Sequence, residues 1–415
     1  MRVFGVVMFA WIMVGCAGDE KSTSPQKQPA AAQYGQTTEE IATPAGAGAA
    51  EPFLFATHDS ILLSWLEPVA GTDRVALRFA RYRGGQWSTP RTIVERNDLF
   101  VNWADFPSIV EDTHGALFAH WLQKSGAGTY AYDVRMSAST DDGATWREPF
   151  LLNRDGKQRE HGFATLAPLP RGGIGATWLD GRAMKSGGGH EEDSGDMAVR
   201  YAKVDANGTI ADDVQLDDRT CECCTTGMTM TEEGPVIVYR DRSPDEIRDI
   251  SYVRRTATGW TKPQPLNTDA WKIAGCPVNG PQIDAIGRHA VAAAWFTAAQ
   301  EKGHALVAFS DDGGTTFTQP VQIDDGKPIG RLDVVLLDER TALATWLEQT
   351  PTGGEIRARK IRRDGMEPSI KIADSSTARA AGFTRIARMG RDVYFTWTEH
   401  DGTKKRIHLS RRRFP

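Results

Sequence analysis

Residues 139–146 read STDDGATW, and residues 310–317 read SDDGGTTF. Two copies of one short pattern, 171 residues apart, indicate a chain built from a repeated structural unit. In each copy the Ser and Asp side chains can bond to nearby backbone groups, and a Gly can take the positive φ that a tight turn requires. The pattern therefore predicts two equivalent hairpin turns, each followed by an aromatic residue that packs between sheets.

A second series extends the repeat over most of the chain. Short apolar segments ending in an aromatic residue recur every 51 to 61 residues, about the length of one four-stranded propeller blade. Their aromatic ends are Trp65, Trp121, Trp178, Tyr239, Trp295, Trp346 and Trp397. Seven such segments predict an all-β fold, a β-propeller of seven four-stranded antiparallel blades, with six blades as the alternative.

The segments that flank this series agree with a ring of blades. Five of the aromatic-ended strands are preceded by a strand with glycine at its start, which suits an innermost strand where backbones crowd toward the axis. These glycines are Gly162, Gly227, Gly280, Gly330 and Gly382. The last unit lacks an outer strand before Pro415. A strand from the N-terminal side, around residues 38–43, is therefore expected to close the ring.

The two repeated turns also carry a family resemblance. Their pattern, Ser-x-Asp-x-Gly-x-Thr-Trp/Phe, is the Asp box, and through it the chain resembles sialidases and other bacterial-neuraminidase-repeat (BNR) propellers. The resemblance covers residues 51–415 as architecture. It implies a sialidase-like propeller with its site on the axial face, because Asp boxes lie on the outer edge of a blade. The motif thus indicates the fold and says little about activity.

The N-terminus indicates where the protein is located. Arg2 precedes an apolar run over residues 3–14, which is shorter than the roughly 20 residues needed to span a bilayer and fits a signal peptide. Cys16 follows a small residue and resembles the lipobox of bacterial lipoproteins, although an ordinary signal peptide with a chance cysteine is the alternative. We therefore expect a signal peptide over residues 1–16, a flexible tether over 17–50, and a lipid-anchored envelope protein.

The charge of the chain excludes one class of partner. The net charge is −5 at pH 7 and the pI is about 6, with no basic stripe that carries interleaved aromatic residues. A nucleic-acid partner is therefore not expected. The remaining expectations are a carbohydrate or small acidic ligand, a protein partner, and a membrane contact through the N-terminal lipid alone.

The cysteines cluster on two adjacent loops. Apart from Cys16, the chain has Cys221, Cys223, Cys224 and Cys276, all in loops that join one blade to the next. In an oxidising envelope disulfides are the favoured interpretation. A copper or other soft-metal site is a second interpretation, since Met228 and Met230 follow at once, and redox-active thiols are a third. No cofactor is certain from the sequence.

The family resemblance implies candidate catalytic residues. Sialidases use an arginine triad for the substrate carboxylate, a Tyr nucleophile with an acidic partner, and an Asp acid/base, and Arg suits a carboxylate because its planar fork is bidentate. The matching candidates here are Arg331, Arg385, Arg240, Tyr239 and Asp241. The Phe/Tyr-Arg-Ile-Pro motif that opens sialidase domains is absent, because residues 51–56 read EPFLFA. That departure removes one expected triad arginine.

Four further residues are candidates for ligand binding. Trp103 and Trp271 could stack on a sugar, Arg242 could pair with an acidic group, and His161 could point to the axis. Structural roles explain each of them as well. The longest insertion, over residues 179–196, carries His190 beside three carboxylates and is expected to be a charged lid.

Two hypotheses of function follow. In the first, the protein is a non-catalytic propeller whose cysteine-rich face binds a ligand, a metal or a protein. In the second, it is an exo-sialidase-type glycoside hydrolase that acts on acidic glycans, and the missing opening motif argues against it. The sequence favours the first.

Overall fold

A computed structural model describes Met1 and residues 37–185, 195–402 and 404–414. Residues 37–414 belong to one compact unit. Cys16 with the rest of the predicted signal peptide, and His190 of the predicted lid, lie outside the described residues. Within the described part the fold is almost entirely β, and the only helices are two single 3-10 turns, Ala299–Glu301 and Arg379–Ala381. No helix in this part has the length and apolar character needed to cross a bilayer.

The strands form seven antiparallel sheets, which we number as blades 1 to 7 in chain order of their innermost strands. The innermost strands are Ala50–Ala56, Ser108–Glu111, His161–Pro168, Gly227–Thr231, Gln282–Ile286, Pro328–Asp338 and Arg385–Met389. The second strands are Ile61–Pro68, Leu117–Lys124, Ile174–Asp180, Gly234–Arg240, Ala290–Thr297, Thr341–Thr350 and Asp392–His400. The third strands are Val75–Arg83, Tyr132–Ser139, Met197–Val204, Ile250–Thr256, His304–Ser310, Gly353–Arg362 and Lys405–Arg413.

The outer strands are more exposed than the other three, and in every blade except blade 3 they are short or divided. In blades 1, 4 and 6 the outer position is divided between two segments that both pair with the third strand. The outer segments are, in blade order, Gln86–Trp87 with Arg91–Arg96, Phe150–Leu151, Ile210–Thr220, Gly259–Trp260 with Gln264–Pro265, Val321–Gln322, Gly365–Met366 with Ile370–Ser375, and Glu39–Glu40.

The seven blades form a closed ring. Each innermost strand contacts the innermost strand of the next blade, and that of blade 7 contacts that of blade 1. Blade 7 takes its outer strand from the N-terminal side, where Glu39 is in register with Arg411 and Glu40 with Ser410. The seven-bladed, four-stranded architecture predicted from the aromatic repeat is confirmed, as is closure by the two ends of the domain. Residues 39–50, which the sequence assigned to the tether, belong to the propeller.

The aromatic-ended second strands form the core between blades. Five of their tryptophans are no more than 1% exposed, because each second strand is covered on both faces by neighbouring blades. Full burial of such side chains is the main source of stability in a fold of this kind. Three of the buried indole N–H groups are satisfied within their own strand. Trp65, Trp178 and Trp346 each donate to a carboxylate two residues further along the same strand, where period two places it on the same face.

Both Asp boxes have the predicted local structure. Asp141 accepts hydrogen bonds from the Ser139 hydroxyl at 2.7 Å and from the backbone N–H of Thr145 at 2.9 Å. The second box, over residues 310–317, repeats these bonds at 2.7 and 2.9 Å. The aromatic that ends each box packs edge-on against a ring in the third strand of the preceding blade, Trp146 on Phe79 and Phe317 on Tyr252. The boxes therefore link blade edges, far from the axis.

Glycine at the start of an innermost strand is required by crowding. A Cβ atom on Gly162 would lie 2.0 Å from Oδ2 of Asp105, and one on Gly280 would lie 1.9 Å from the carbonyl oxygen of Thr225. Both are closer than any real contact. These glycines let the loops of adjacent blades approach one another at the axis, which is where the candidate site lies.

Candidate functional site

The loops that join successive blades surround a cavity of about 480 Å³ on one axial face. Its floor and walls combine aromatic, acidic and sulfur-bearing side chains. The lining residues used below are Trp103, Tyr130, Glu160, Glu222, Cys223 and Cys276. The cavity therefore brings together groups from five different loops, as expected for a propeller site.

Three thiols lie together beneath this cavity. Sγ of Cys221 is 3.4 Å from Sγ of Cys224 and 3.8 Å from Sγ of Cys223. All three sulfur atoms lie within 4.8 Å of one another. Cys221 and Cys224 are buried, whereas Cys223 faces the cavity. The Cys-x-Cys-Cys loop thus folds so that its sulfur atoms converge on one point.

Cationic side chains surround the sulfur cluster. Arg248 is buried, and its Nη1 donates to Sγ of Cys221 at 3.3 Å and to Oε2 of Glu222 at 2.9 Å. Arg242 bonds to the other oxygen of Glu222 and also to Glu246. Arg242, one of the predicted binding residues, therefore belongs to a buried charge network that holds the cysteine loop in place.

This environment shifts the pKa values of the three thiols in different directions. Burial alone would raise the pKa of Cys221, but hydrogen bonds from Cys223 and Cys224 and the charge of Arg248 outweigh it and hold that pKa well below its usual value. The same hydrogen bonds raise the pKa of Cys223, and burial raises that of Cys224. Cys221 is thus the thiol most easily ionised, a property of reactive and metal-binding cysteines.

The fourth cysteine comes from the next inter-blade loop. Cys276 is exposed, and its thiol contacts that of Cys223. All four cysteines of the described residues are thiols, so the disulfides favoured from the sequence are not formed in this structure. The prediction that the four lie on one face of the ring agrees with the lining of the cavity. Met228, in contrast, is a core residue that lines the central channel, whereas Cys223 and Cys276 line the axial cavity.

A second group, which reaches the cavity through Glu160, was missed by the sequence analysis. The hydroxyl of Tyr132 lies 3.1 Å from Oδ2 of Asp105 and 3.0 Å from Oε1 of Glu160. A phenol has one proton to donate, so both bonds form together only when one carboxyl is protonated. Burial raises the pKa of Asp105 to about 7 and that of Glu160 to about 8. Such raised carboxyl pKa values are typical of general acids.

The sequence held only a faint signal for this group. Glu160 directly precedes the innermost strand of blade 3, and Asp105 lies in the loop before blade 2, so both occupy axial loop positions. Tyr132 begins a third strand, and nothing in its local pattern distinguishes it from a core tyrosine. Its ring stacks on Phe100 with centroids 4.1 Å apart, which fixes the hydroxyl between the two carboxyls.

The candidate triad arginines are bound to separate backbone partners. Arg240 is buried and donates to the carbonyl oxygens of Asn279, Arg248 and Phe296. Arg331 donates to the carbonyl oxygens of Gly382 and Ala378. These contacts take up the guanidinium forks within the loops. The structure therefore does not present them as a free carboxylate-binding pair.

The remaining catalytic candidates also lie in structural networks. Arg385 contacts Asp333 at 3.3 Å, within the central channel rather than in the axial cavity. Tyr239 is fully buried and donates to Asp217 at 2.6 Å. Asp241 accepts a hydrogen bond from Ser251 at 2.9 Å. The structure does not bring these residues together with Arg240 and Arg331 around one open site.

The predicted binding residues divide between the cavity and the core. Trp103 lines the cavity, where its ring stacks on Phe383 with a centroid distance of 5.9 Å. Trp271 is only 7% exposed and packs in the core between blades 5 and 6, with Arg240 over its ring. It therefore offers no exposed stacking surface. His161 is fully buried beside carboxylates of blades 2 and 3.

Comparison with known proteins agrees with this architecture. The model of the BNR repeat-like domain matches residues 70–339, well over half of the chain. The chain belongs to the BNR repeat-like family. No curated protein matches it. This BNR repeat-like propeller is similar to a polysaccharide lyase, an ulvan lyase, at 12% identity with a TM-score of 0.56, covering 89% of this chain and 95% of the lyase.

Other solved structures of similar fold include a second polysaccharide lyase and a sialidase. A second polysaccharide lyase is 10% identical with a TM-score of 0.51, and the match covers 94% of both chains. A sialidase of Hadza microbial origin is 14% identical with a TM-score of 0.47, covering 82% of this chain and 74% of that one. At these identities the likeness shows the fold, and function must be argued from the site.

Proposed function

We propose that this BNR repeat-like propeller binds a soft metal ion, copper(I) foremost, at the thiols of Cys221, Cys223 and Cys224. The observation that carries the proposal is the convergence of three sulfur atoms within 4.8 Å of one another. Thiolates about 2.3 Å from a metal lie about 3.8 Å apart at tetrahedral angles and about 4.0 Å apart in a plane. The Cys221–Cys223 distance of 3.8 Å matches the tetrahedral value, and the Cys221–Cys224 distance of 3.4 Å is somewhat shorter.

The donor set and its charge favour a soft monovalent ion. Sulfur-only coordination selects copper(I) among the common alternatives, with zinc as a competitor. Three thiolates around copper(I) carry a net charge of about −2, which a buried site tolerates only beside cations. Arg248 donates to Cys221 directly, and the charge of Arg240 also acts on Cys224. The guanidinium groups therefore offset the charge that metal binding would bury.

Cys276 provides a way in and out of this site. It is exposed, belongs to the next inter-blade loop and contacts the one cluster thiol that faces the cavity, Cys223. A metal ion could therefore be received at the rim by these two sulfurs and passed inward to Cys221 and Cys224. This geometry supports a binding or transfer role in preference to a closed structural site.

The test is anaerobic titration of the reduced full-length chain with copper(I) against a competing chelator such as bathocuproine disulfonate. We expect one ion per chain, and a loss of affinity of roughly 100-fold or more for Cys221→Ser or Cys224→Ser, which remove ligands. Cys276→Ser should cost less, on the order of 10-fold, as an outer residue does. Met228→Leu is the matched control, since that residue lines the central channel. Unchanged affinity in the Cys221→Ser, Cys223→Ser, Cys224→Ser triple variant would overturn the proposal.

A second candidate function is acid–base chemistry on an acidic glycan in the same cavity. It is favoured by Glu160, whose raised pKa of about 8 leaves it protonated at neutral pH, and by its hydrogen bond to Tyr132. The exposed ring of Tyr130 provides a sugar-stacking surface in the cavity, which Trp103 also lines. Glu160 would donate a proton to the leaving oxygen, as a general acid does.

Two substrates test this alternative. One assay follows release of 4-methylumbelliferone from its sialoside. The other follows formation of unsaturated uronate from ulvan, the polymer for which one structural neighbour, an ulvan lyase, is named. Turnover that falls at least about 100-fold in Glu160→Gln and persists in Tyr130→Phe would support the enzyme. Absence of turnover on both substrates would argue against the enzyme and favour the metal-binding function.

The location remains part of the proposal. We place the propeller on a bacterial envelope membrane through a lipid on Cys16, with residues of the N-terminal segment as the tether. Cys16→Ser should release the protein from the membrane fraction into the soluble fraction, as detected by fractionation and immunoblotting. Retention of the variant on the membrane would contradict lipid anchoring at this residue.

A further inference from the structure

A separate group of ligand-type side chains lies in the wall between blades 2 and 3. Nε2 of His161 is 3.4 Å from Oδ2 of Asp155 and 3.7 Å from Oδ1 of Asp180. His161 and Asp180 face each other in register on the first two strands of blade 3, and Asp155 comes from the loop before them. His161 and Asp180 are fully buried, and the side chain of Asp155 is 6% exposed.

The group contains buried polar atoms that the rest of the protein does not satisfy. Neither ring nitrogen of His161 and neither carboxylate oxygen of Asp155 has a hydrogen-bond partner within the described residues. Buried polar groups almost always have such partners, since leaving them unpaired is costly. A ligand bound between Nε2 of His161 and the facing carboxylate oxygens of Asp155 would satisfy these atoms.

We propose that Asp155, His161 and Asp180 hold a divalent metal ion of the zinc class. Nitrogen and oxygen ligands about 2.1 Å from zinc at tetrahedral angles lie about 3.4 Å apart. The separations of 3.4 and 3.7 Å around Nε2 are near this value and are too long for hydrogen bonds. An imidazole with carboxylates suits zinc better than the soft ion assigned to the thiols.

Neighbouring groups lie beside two of these ligands. Nδ1 of His161, the nitrogen away from the proposed ion, faces Oδ1 of Asp133 at 3.7 Å without a hydrogen bond, and Asn153 donates to that oxygen at 2.8 Å. In metal sites a carboxylate in this position accepts the other N–H of a ligating imidazole, so Asp133 is placed to take that role when an ion is bound. Asp180 accepts from the Trp178 indole at 2.8 Å and from Arg182 at 2.6 Å, so it is fixed in place.

The separations around the His161 ring are longer than hydrogen bonds, which span about 2.7–3.2 Å. Asp155 lies 3.4 Å from Nε2, and Asp133 lies 3.7 Å from Nδ1. An ion at this point would join the loop of Asp155 to blade 3, five residues before Glu160 of the axial cavity. Its role would be to position that wall of the cavity.

The test uses the full-length chain with all four propeller cysteines changed to serine, so that the sulfur site is silent. Zinc is titrated against a chromophoric chelator, and cobalt(II) is added as a spectroscopic probe of tetrahedral nitrogen–oxygen coordination. We expect one ion per chain. Asp155→Asn should weaken binding by more than about 100-fold and Asp133→Asn by about 10- to 100-fold. Asp218→Asn, an exposed acid of the same blade, is the control and should change nothing.

Two outcomes would overturn the proposal. The first is no zinc binding by the cysteine-free chain, or binding that Asp155→Asn leaves unchanged; neither result bears on copper binding by the thiols. The second comes from thermal unfolding without metal. Because Asp155 accepts no hydrogen bond there, the Asp155→Asn chain should melt at the same temperature as its parent or slightly higher. A lower melting temperature would show that Asp155 serves as an ion-pair partner of His161.

Discussion

Glu160→Gln should stabilise the propeller relative to the parent protein, and this difference should grow as the pH rises. Glu160 is a partly buried residue of the cavity wall, where desolvation raises its pKa from 4.5 to about 8, while the Tyr132 hydroxyl offsets part of this effect. In the folded protein the neutral carboxyl is therefore favoured, and the unfolded chain loses its proton near pH 4.5. Gln resembles the neutral acid in shape and cannot ionise.

The sign and size of the effect follow from proton linkage. Between pH 4.5 and about 8 the folded protein holds one more proton at this site than the unfolded chain, so its free energy of unfolding falls as the pH rises. The fall is up to about 1.4 kcal/mol per pH unit. The favourable contribution of Glu160 is complete below pH 4.5 and is lost as the pH passes through about 8. The upper limit is about 5 kcal/mol, and sharing of the proton with Asp105 through Tyr132 reduces it.

Urea denaturation of both proteins at pH 5, 6, 7 and 8 measures this difference. We expect Glu160→Gln and the parent to be nearly equal at pH 5 and the variant to be more stable by about 2–4 kcal/mol at pH 8. Glu148→Gln, at an exposed position, is the control and should show a difference that does not vary with pH. A stability difference for Glu160→Gln that is constant, or that shrinks with rising pH, would refute the assignment of a neutral acid.

Three further predictions concern other parts of the molecule. Gly162→Ala would place a methyl carbon 2.0 Å from Asp105 and should lower stability by about 1–3 kcal/mol in urea denaturation; an unchanged midpoint would contradict the crowding at the axis. Arg248→Met removes the cation beside Cys221, so thiolate absorbance should appear at higher pH than in the parent, and an unshifted titration would refute that pairing. Asp312→Ala removes three hydrogen bonds from the second Asp box and should cost about 1–2 kcal/mol by thermal unfolding, with no effect on metal binding at the axis.

Much of the fold was predictable because each repeat contains short sequence patterns that determine its local structure. A buried second strand needs apolar residues and a large aromatic side chain at its end, and a tight hairpin needs Ser, Asp and Gly at fixed offsets. Both requirements act over fewer than ten residues, so they are visible in each copy. The boundary at residue 50 was harder to predict, since the two-residue strand Glu39–Glu40 has no pattern of its own and forms only against the last strand.

The site was predictable only in part, because its chemistry depends on contacts between blades. The cysteines could be placed on one face from the repeat, since Cys221 and Cys276 occupy equivalent loops. The group at Tyr132 could not be found in this way, because its two carboxyl partners come from loops 27 and 28 residues away on either side. Arg240 was misleading for a related reason: a polar residue at an axial loop position can bind the backbone of its neighbours as readily as a ligand.

The pairing of Glu39–Glu40 with the last strand of blade 7 determines when the protein can finish folding. Glu39 and Arg411 are paired across 372 residues of chain. The first strand of the domain can therefore pair only after the last strand has been synthesised. Until then every blade can pair its own three inner strands, because these are contiguous in sequence, but the third strand of blade 7 has an exposed edge. Closure of so long a loop is slow, and open edges invite pairing with other chains. A shortened N-terminus that removed Glu39 and Glu40 would leave the seventh blade with such an edge permanently.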